Sequence, residues 1–199
     1  MGEFAKAEPL YREALRIRQK TLGPEHLDTA MSDNNLALLY QAIGDYAKAE
    51  PLLLEALRIR QKVLGTEHPY TAMSLNNLGE LYRAMGEYAK AEPPYHEALR
   101  IRQKFFGPEH LVTASSLNNL ALLYQAMGDY ANAEPLFREV LRVRRKVLGL
   151  EHADTAMSLN NLALLCQAMG EYTNAEPFLL GSAPDATEGS WARACRKSD

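Results

Sequence analysis

Residues 35–57, NLALLYQAIGDYAKAEPLLLEAL, decide the fold, because they contain two segments of helical character with a single break between them. Gly44 stands at the break, and glycine commonly ends a helix just after its last turn. Asp45 follows and is a favourable N-cap residue for a second helix. The stretch therefore predicts a helix, a tight turn and another helix.

This pattern recurs along the chain every 42 residues. Four residue types mark the repeat at equivalent positions, namely Gly2, Gly44, Gly86, Gly128 and Gly170; Pro9, Pro51, Pro93, Pro135 and Pro177; His26, His68, His110 and His152; and Asn35, Asn77, Asn119 and Asn161. Self-similarity at a fixed period is the signature of repeat architectures, in which each repeat is one supersecondary unit.

One complete unit shows how the apolar residues are expected to be buried. Leu75, Leu78, Leu81 and Tyr82 follow the spacing of one helical face. A single hairpin cannot bury such a face alone, whereas stacked copies share a continuous core. Small residues should let paired helices approach closely, at Ala37, Gly79, Ala121 and Ala163 and at Ala49, Ala91, Ala133 and Ala175. The predicted fold class is all-α, an α-α superhelix or solenoid of stacked antiparallel helix hairpins.

The same stretch resembles the tetratricopeptide repeat, whose signature spacing is held here by Leu36, Ala37, Tyr40, Gly44, Tyr46, Ala49 and Ala56. An ordinary repeat of that family has about 34 residues. The longer unit, with its LNNLA, AEPL and ALRIRQKVLG segments, is similar to the variant found in kinesin light chains and in many bacterial arrays. HEAT and armadillo arrays have similar periods but lack the G-x-Y-x-x-A turn signature.

We expect residues 2–180 to form the array, with a lone second helix at 3–22, hairpins at about 28–64, 70–106 and 112–148, and an incomplete hairpin at 154–180. Residues 181–199 match no repeat and are expected to be a flexible tail. Both ends interrupt the pattern, so we expect a fragment, a truncated reading frame or an excised segment rather than a complete gene product. The repeated proline, Pro51 in the first hairpin, predicts a kink or an irregular first turn in each second helix.

Composition argues against several classes of partner. A net charge of −3 and a pI of about 6.0 do not favour nucleic acid, whose phosphates bind an excess of Lys and Arg. No apolar run has the length of a membrane span and no leader is recognisable, so we expect no membrane partner and a cytoplasmic location. The cysteines, Cys166 and Cys195, form no C-x-x-C pair, and Cys166 should be buried where other units have tyrosine.

The resemblance implies that the first helix of each hairpin lines a concave groove, and that the second asparagine of LNNLA clamps a peptide (Asn35, Asn77, Asn119, Asn161). The rest of the candidate site is Asn34, Asn76, Asn118, Asn160, Gln41, Glu80, Arg83, Gln125 and Gln167. A side-chain amide both donates and accepts hydrogen bonds, which suits contact with an extended backbone. The alternative is that the asparagines bond a neighbouring helix and fix the stacking.

The second complete hairpin differs at two groove positions, where Glu80 and Arg83 replace leucine and glutamine. A charged pair three residues apart can satisfy itself on the helix surface. The functional alternative is that Arg83 contacts an acidic group of the ligand.

The remaining repeated charges have structural interpretations. The Glu-His pairs, such as Glu25-His26, lie one repeat apart and cannot share a metal ion, so we expect a loop or cap role. The basic run LRIRQK should pair with Glu13, Glu55, Glu97 and Glu139, although binding of an anionic partner is the alternative.

The sequence contains no nucleophile–base pair, phosphate loop or metal-ligand spacing, so we expect no enzyme, cofactor or metal. The expected function is a scaffold that binds a protein or peptide partner whose identity the sequence does not name. The alternative is a structural spacer, or a segment that associates with its own kind through uncapped ends.

Overall fold

The computed structural model describes residues 2–170, which form eight α-helices and no strand. The helices are α1 (Gly2–Leu22), α2 (Leu27–Ile43), α3 (Tyr46–Leu64), α4 (Pro69–Ala84), α5 (Tyr88–Phe106), α6 (Leu111–Met127), α7 (Tyr130–Leu148) and α8 (Ala153–Ala168). Within each of the two units described below, short turns make consecutive helices antiparallel. The predicted class, all-α with stacked helix hairpins, is confirmed. The expected tail at 181–199 and the second half of the last hairpin lie outside the described residues.

The chain divides into two compact units, Met1–Gly107 and Pro108–Asp199. In the first unit, α2 pairs with α3 and α4 with α5, while α1 packs on α2 and α3 on α4. In the second unit, α6 pairs with α7, and α7 packs on α8. Within each unit the second helix of one hairpin therefore contacts the first helix of the next, which is how stacked copies share a core.

The second helices begin at residues whose capping ability differs. Asp45 accepts a hydrogen bond from the backbone N–H of Lys48, and Asp129 accepts one from that of Asn132. Glu87 holds the same position at the start of α5 and makes no side-chain cap bond. The difference confirms that aspartate is the better cap in this turn, as its shorter side chain predicts.

The histidine of each Glu-His pair caps the first helix of its hairpin. Its Nδ1 atom accepts a hydrogen bond at 3.1 Å from the backbone N–H two residues further on, at His26, His68, His110 and His152. Each bond satisfies one of the N–H groups that a helix start leaves free. The predicted cap role is confirmed.

Small residues lie where the paired helices are closest. In the first unit Ala37 and Ala49 are fully buried beside Leu53. In the second unit Ala121 and Ala133 are buried in the same way beside Phe137. A larger side chain at such a contact would cost about 1–3 kcal/mol in strain. This close packing fixes how each first helix is oriented on its partner.

The second helices run through their prolines without interruption. The prolines lie inside the assigned helices at Pro9, Pro51, Pro93, Pro94 and Pro135. An irregular first turn is therefore not seen, and a kink at these positions stays a prediction.

Candidate functional site

The asparagines of the first helices form hydrogen-bonded pairs between neighbouring hairpins. Asn77 Nδ2 donates to Asn34 Oδ1 at 2.8 Å in the first unit, and Asn161 Nδ2 donates to Asn118 Oδ1 at 3.0 Å in the second. The acceptors Asn34 and Asn118 are buried, while the donors Asn77 and Asn161 are half-buried. We call these two pairs the asparagine ladder. The ladder shows that these four asparagines help to hold neighbouring hairpins together, which is the alternative role considered in the sequence analysis. Contact between the asparagines and a peptide stays a prediction.

The other groove candidates differ in accessibility. Asn35, Asn76 and Asn119 are half-buried, and Asn160 is exposed. Among the glutamines, Gln41 and Gln125 are half-buried and Gln167 is exposed. The Oε1 atom of Gln41 is itself buried, with no hydrogen-bond partner among residues 2–170. Within each unit the first helices thus carry several side-chain amides, and the ladder uses one N–H of Asn77 and one of Asn161.

Glu80 and Arg83 form a closed pair on α4. Arg83 Nη2 donates to Glu80 Oε1 at 2.5 Å, and the Tyr95 hydroxyl donates to Glu80 Oε2 at 2.8 Å. The hydrogen bond to Glu80 raises the pKa of Arg83 above its ordinary value. The fully buried Tyr95 ring needs a glycine opposite it, because a Cβ on Gly79 would lie 2.9 Å from ring atoms. The pair thus satisfies itself, and contact between Arg83 and a ligand stays a prediction.

One residue of α2 breaks the apolar pattern. Asp33 stands where the other hairpins have buried leucines, at Leu75, Leu117 and Leu159. It is only 2% exposed, and its Oδ2 atom is buried without a hydrogen-bond partner in the described structure. Burial, with a smaller contribution from the negative charge of Glu55, raises the pKa of Asp33 to about 6. The sequence interpretation did not single out this substitution, although comparison of the four copies displays it.

Buried arginines join one hairpin to the next, and sequence reasoning missed this role. Arg60 Nη1 donates to Ser74 Oγ at 2.5 Å, and Arg144 Nη1 donates to Ser158 Oγ at 2.8 Å. Burial lowers the pKa of both arginines, although a guanidinium remains charged at neutral pH. The signal was present, because an arginine and a serine recur together 14 residues apart. It was obscured because the LRIR run looked like one solvated face.

Tyrosine–glutamate bonds also join hairpins. The Tyr40 hydroxyl donates to Glu8 Oε1, and the Tyr82 hydroxyl to Glu50 Oε1, both at 2.9 Å. Burial, reinforced by the bond to Glu50, raises the pKa of Tyr82 to about 12. Cys166 takes the tyrosine position in α8 and is buried, as predicted.

The exposed arginine of each basic run pairs with the glutamate three residues before it, as predicted (Arg16–Glu13, Arg58–Glu55, Arg100–Glu97, Arg142–Glu139). A glutamate of the loop before each complete hairpin is a further partner. Glu67 receives both Arg100 and Lys104, and these hydrogen bonds hold its pKa down to about 2. Such exposed pairs contribute little individually. They leave the basic run neutralised by its own carboxylates.

Within residues 2–170, no three His, Cys, Asp or Glu side chains lie close enough together to hold a metal ion. None of the eight helices has both the length and the apolar character needed to cross a membrane.

The chain is similar to several known repeat proteins. BtubC (BKLC) from P. vanneervenii is 30% identical with a TM-score of 0.77, and the match covers 91% of this chain and 72% of that one. The nearly identical TPR-like repeats of a putative kinesin light chain from Podosopora anserina are 31% identical in sequence to this chain, with a TM-score of 0.77. The match covers 91% of this chain and 86% of that one. The apo form of RapI shares only the fold, with 16% sequence identity and a TM-score of 0.75. That match covers 90% of this chain and 63% of RapI. No curated protein matches the chain.

A family described as Tetratricopeptide repeat matches residues 1–62, 28–104, 85–146 and 112–180. These overlapping matches span nearly the whole array, and kinesin light chain-like repeats are among the similar solved structures. The chain therefore belongs to the tetratricopeptide repeat family.

Proposed function

We propose that this chain is a protein–protein interaction scaffold that holds an extended peptide, or an extended segment of a partner, along its first helices. Tetratricopeptide repeats typically mediate protein–protein interactions. The asparagine ladder is the observation that carries the finer proposal. Asn77 donates one N–H of its side-chain amide to Asn34, and the same amide has a second N–H and an acceptor oxygen. An extended backbone needs both kinds of partner, since its own N–H and C=O groups are otherwise unpaired.

The ladder also supports binding by keeping the amides in place. A side chain that is already fixed by one hydrogen bond loses less rotational freedom when it forms another. Asn161 is held in the same way by Asn118 in the second unit. Stacking and peptide contact are therefore compatible roles for the same residue.

The test compares two variants that break the same hydrogen bond. Asn77→Ala removes the amide proposed to contact the peptide, whereas Asn34→Ala removes the ladder acceptor and leaves that amide in place. Each variant and the parent are presented with a displayed random-peptide library, after circular dichroism has established that both variants are folded. We expect the parent to enrich peptides, Asn34→Ala to bind them more weakly because its Asn77 amide is present but no longer fixed, and Asn77→Ala to lose binding. Equal binding by all three chains, or no enrichment for the parent, would contradict the proposal.

A structural spacer or self-associating segment is the second candidate, and one observation favours it. Tyr11 and Ile17 on α1 are 39% and 46% exposed, whereas their equivalents Leu53 and Ile59 on α3 are fully buried. In α3 this face packs against α2, because Ile59 clusters with Ala30. In α1 the same face is only partly covered by the described residues. Light scattering on Ile17→Ser tests the idea: self-association that persists in the variant would exclude this face as its cause.

We expect no catalysis from the repeats themselves. The cytoplasmic location expected from the sequence stays a prediction.

A further inference from the structure

The first helices carry almost no cationic side chains. Among α2, α4, α6 and α8, Arg83 is the only lysine, arginine or histidine. Its guanidinium is held by Glu80, which the hydroxyl of Tyr95 also contacts. On the second helices the exposed arginines of the basic run are paired with glutamates, whereas Arg60 and Arg144 are bonded to the serine hydroxyls of Ser74 and Ser158. A ligand carboxylate placed on the first helices would thus lose water without meeting an unpaired cation of those helices, and such a burial is costly.

Two of these helices, α2 and α8, expose apolar side chains on either side of their asparagines. In the first unit Met31 and Leu38 of α2 are 41% and 42% exposed, seven residues apart, with Asn34 between them. In the second unit Met157 and Leu164 of α8 have the same spacing and are each 46% exposed. Residues at i, i+3 and i+7 share one face of a helix. Each unit thus combines apolar side chains with amides on a single stripe.

Resting on the proposed function, we infer that the bound segment is an extended peptide with apolar side chains at alternate positions and no acidic residues at the contact. Side chains of an extended chain point alternately to opposite faces, so every second residue meets the helix surface. Apolar residues there would cover Met31 and Leu38, while the peptide backbone would meet Asn77 and its neighbours. A helical partner fits less well, because its backbone groups are already bonded and would leave the amides unused.

The second complete hairpin interrupts the apolar stripe and provides the internal control. Its Glu80, Arg83 and Tyr95 correspond to Leu122, Gln125 and Phe137 of the next hairpin. The triple variant Glu80→Leu, Arg83→Gln, Tyr95→Phe therefore copies a combination that the chain itself uses. Phenylalanine at position 95 avoids the unpaired buried hydroxyl that removal of Glu80 would create.

The experiment reads the composition of peptides selected from the displayed random library by the full chain. We expect enrichment of Leu, Ile, Met, Val or Phe at alternate positions, depletion of Asp and Glu, and affinity that hardly changes with salt. Enrichment of acidic residues, or binding that weakens steeply with salt, would overturn this inference while leaving the scaffold proposal standing. Failure to enrich any peptide would overturn both.

Variants then locate the contact for a synthesised peptide from that selection. We expect Leu38→Glu, which copies the residue at position 80, to weaken binding about tenfold, which corresponds to about 1.4 kcal/mol, because an apolar contact with the peptide is lost. Leu38→Met should bind like the parent, and the triple variant should bind more tightly. Unchanged affinity in Leu38→Glu, or weaker binding by the triple variant, would contradict the inference.

Discussion

Asp33 provides the sharpest prediction, because it places a carboxylate where the fold has room for a leucine. Its pKa rises from 3.8 to about 6 on folding, which corresponds to a cost of about 3 kcal/mol at pH 7. Leucine at the equivalent positions is only 6–9% exposed, so a leucine side chain at position 33 should be buried as well. We therefore expect Asp33→Leu to raise the free energy of unfolding at pH 7 by roughly 3 kcal/mol, with apolar burial adding to the gain.

The pH dependence identifies the cause. Since the folded state has the higher pKa, it binds more protons than the unfolded state between about pH 4 and pH 6, and stability due to Asp33 falls as pH rises through that window. The cost should shrink to about 1 kcal/mol at pH 4.5. Urea unfolding followed by circular dichroism at both pH values measures the difference between parent and variant, in which other titrating groups cancel. A difference that does not depend on pH, or a variant no more stable than the parent at pH 7, would refute the reasoning. Leu117→Asp in the second unit should show the opposite change.

Two further substitutions test local packing and capping. Gly79→Ala should destabilise the chain by about 1–3 kcal/mol, because its Cβ would lie 2.9 Å from the Tyr95 ring. Adding Tyr95→Leu should recover part of this loss. Equal unfolding midpoints for Gly79→Ala and the parent would contradict the close contact. Glu87→Asp should raise stability by about 0.5–1 kcal/mol in thermal unfolding, because Asp45 and Asp129 make the cap bond that Glu87 does not; a lower melting temperature would show that the longer side chain is preferred there.

The repeat unit and its helices could be predicted from sequence because they depend on local signals. Gly44 with Asp45 marks the turn, and the leucine spacing marks the buried face. The caps at His26 and its equivalents also follow from local chemistry, since the bond spans only two residues. Such features recur in each copy with few substitutions, so each copy adds evidence for the same element.

Contacts between copies could not be predicted in the same way, because a period does not reveal which residue of one hairpin meets which residue of the next. The ladder joins residues 43 positions apart, not 42, so the second asparagine of one copy meets the first asparagine of another. The tyrosine–glutamate bonds span 32 positions. Those offsets depend on how far one hairpin is shifted against its neighbour, which is a property of packing.

Residues that differ from their equivalents in the other copies fall into two kinds. Some contact other altered residues that accommodate the change, and some have no such contact. In the second complete hairpin, glycine at position 79 makes room for the ring of Tyr95, whose hydroxyl bonds Glu80, which in turn holds Arg83. These four residues contact one another, so the steric or hydrogen-bonding demand of each is met by another member of the group. Among the described residues Asp33 has no such partner: its Oδ2 atom is buried without a hydrogen bond, and the charge of Glu55, which raises its pKa, is of the same sign. A connected group can be retained for stability alone, whereas an isolated buried carboxylate lowers stability at neutral pH. Asp33→Leu is therefore the substitution that tests the cost of burying this carboxylate most directly.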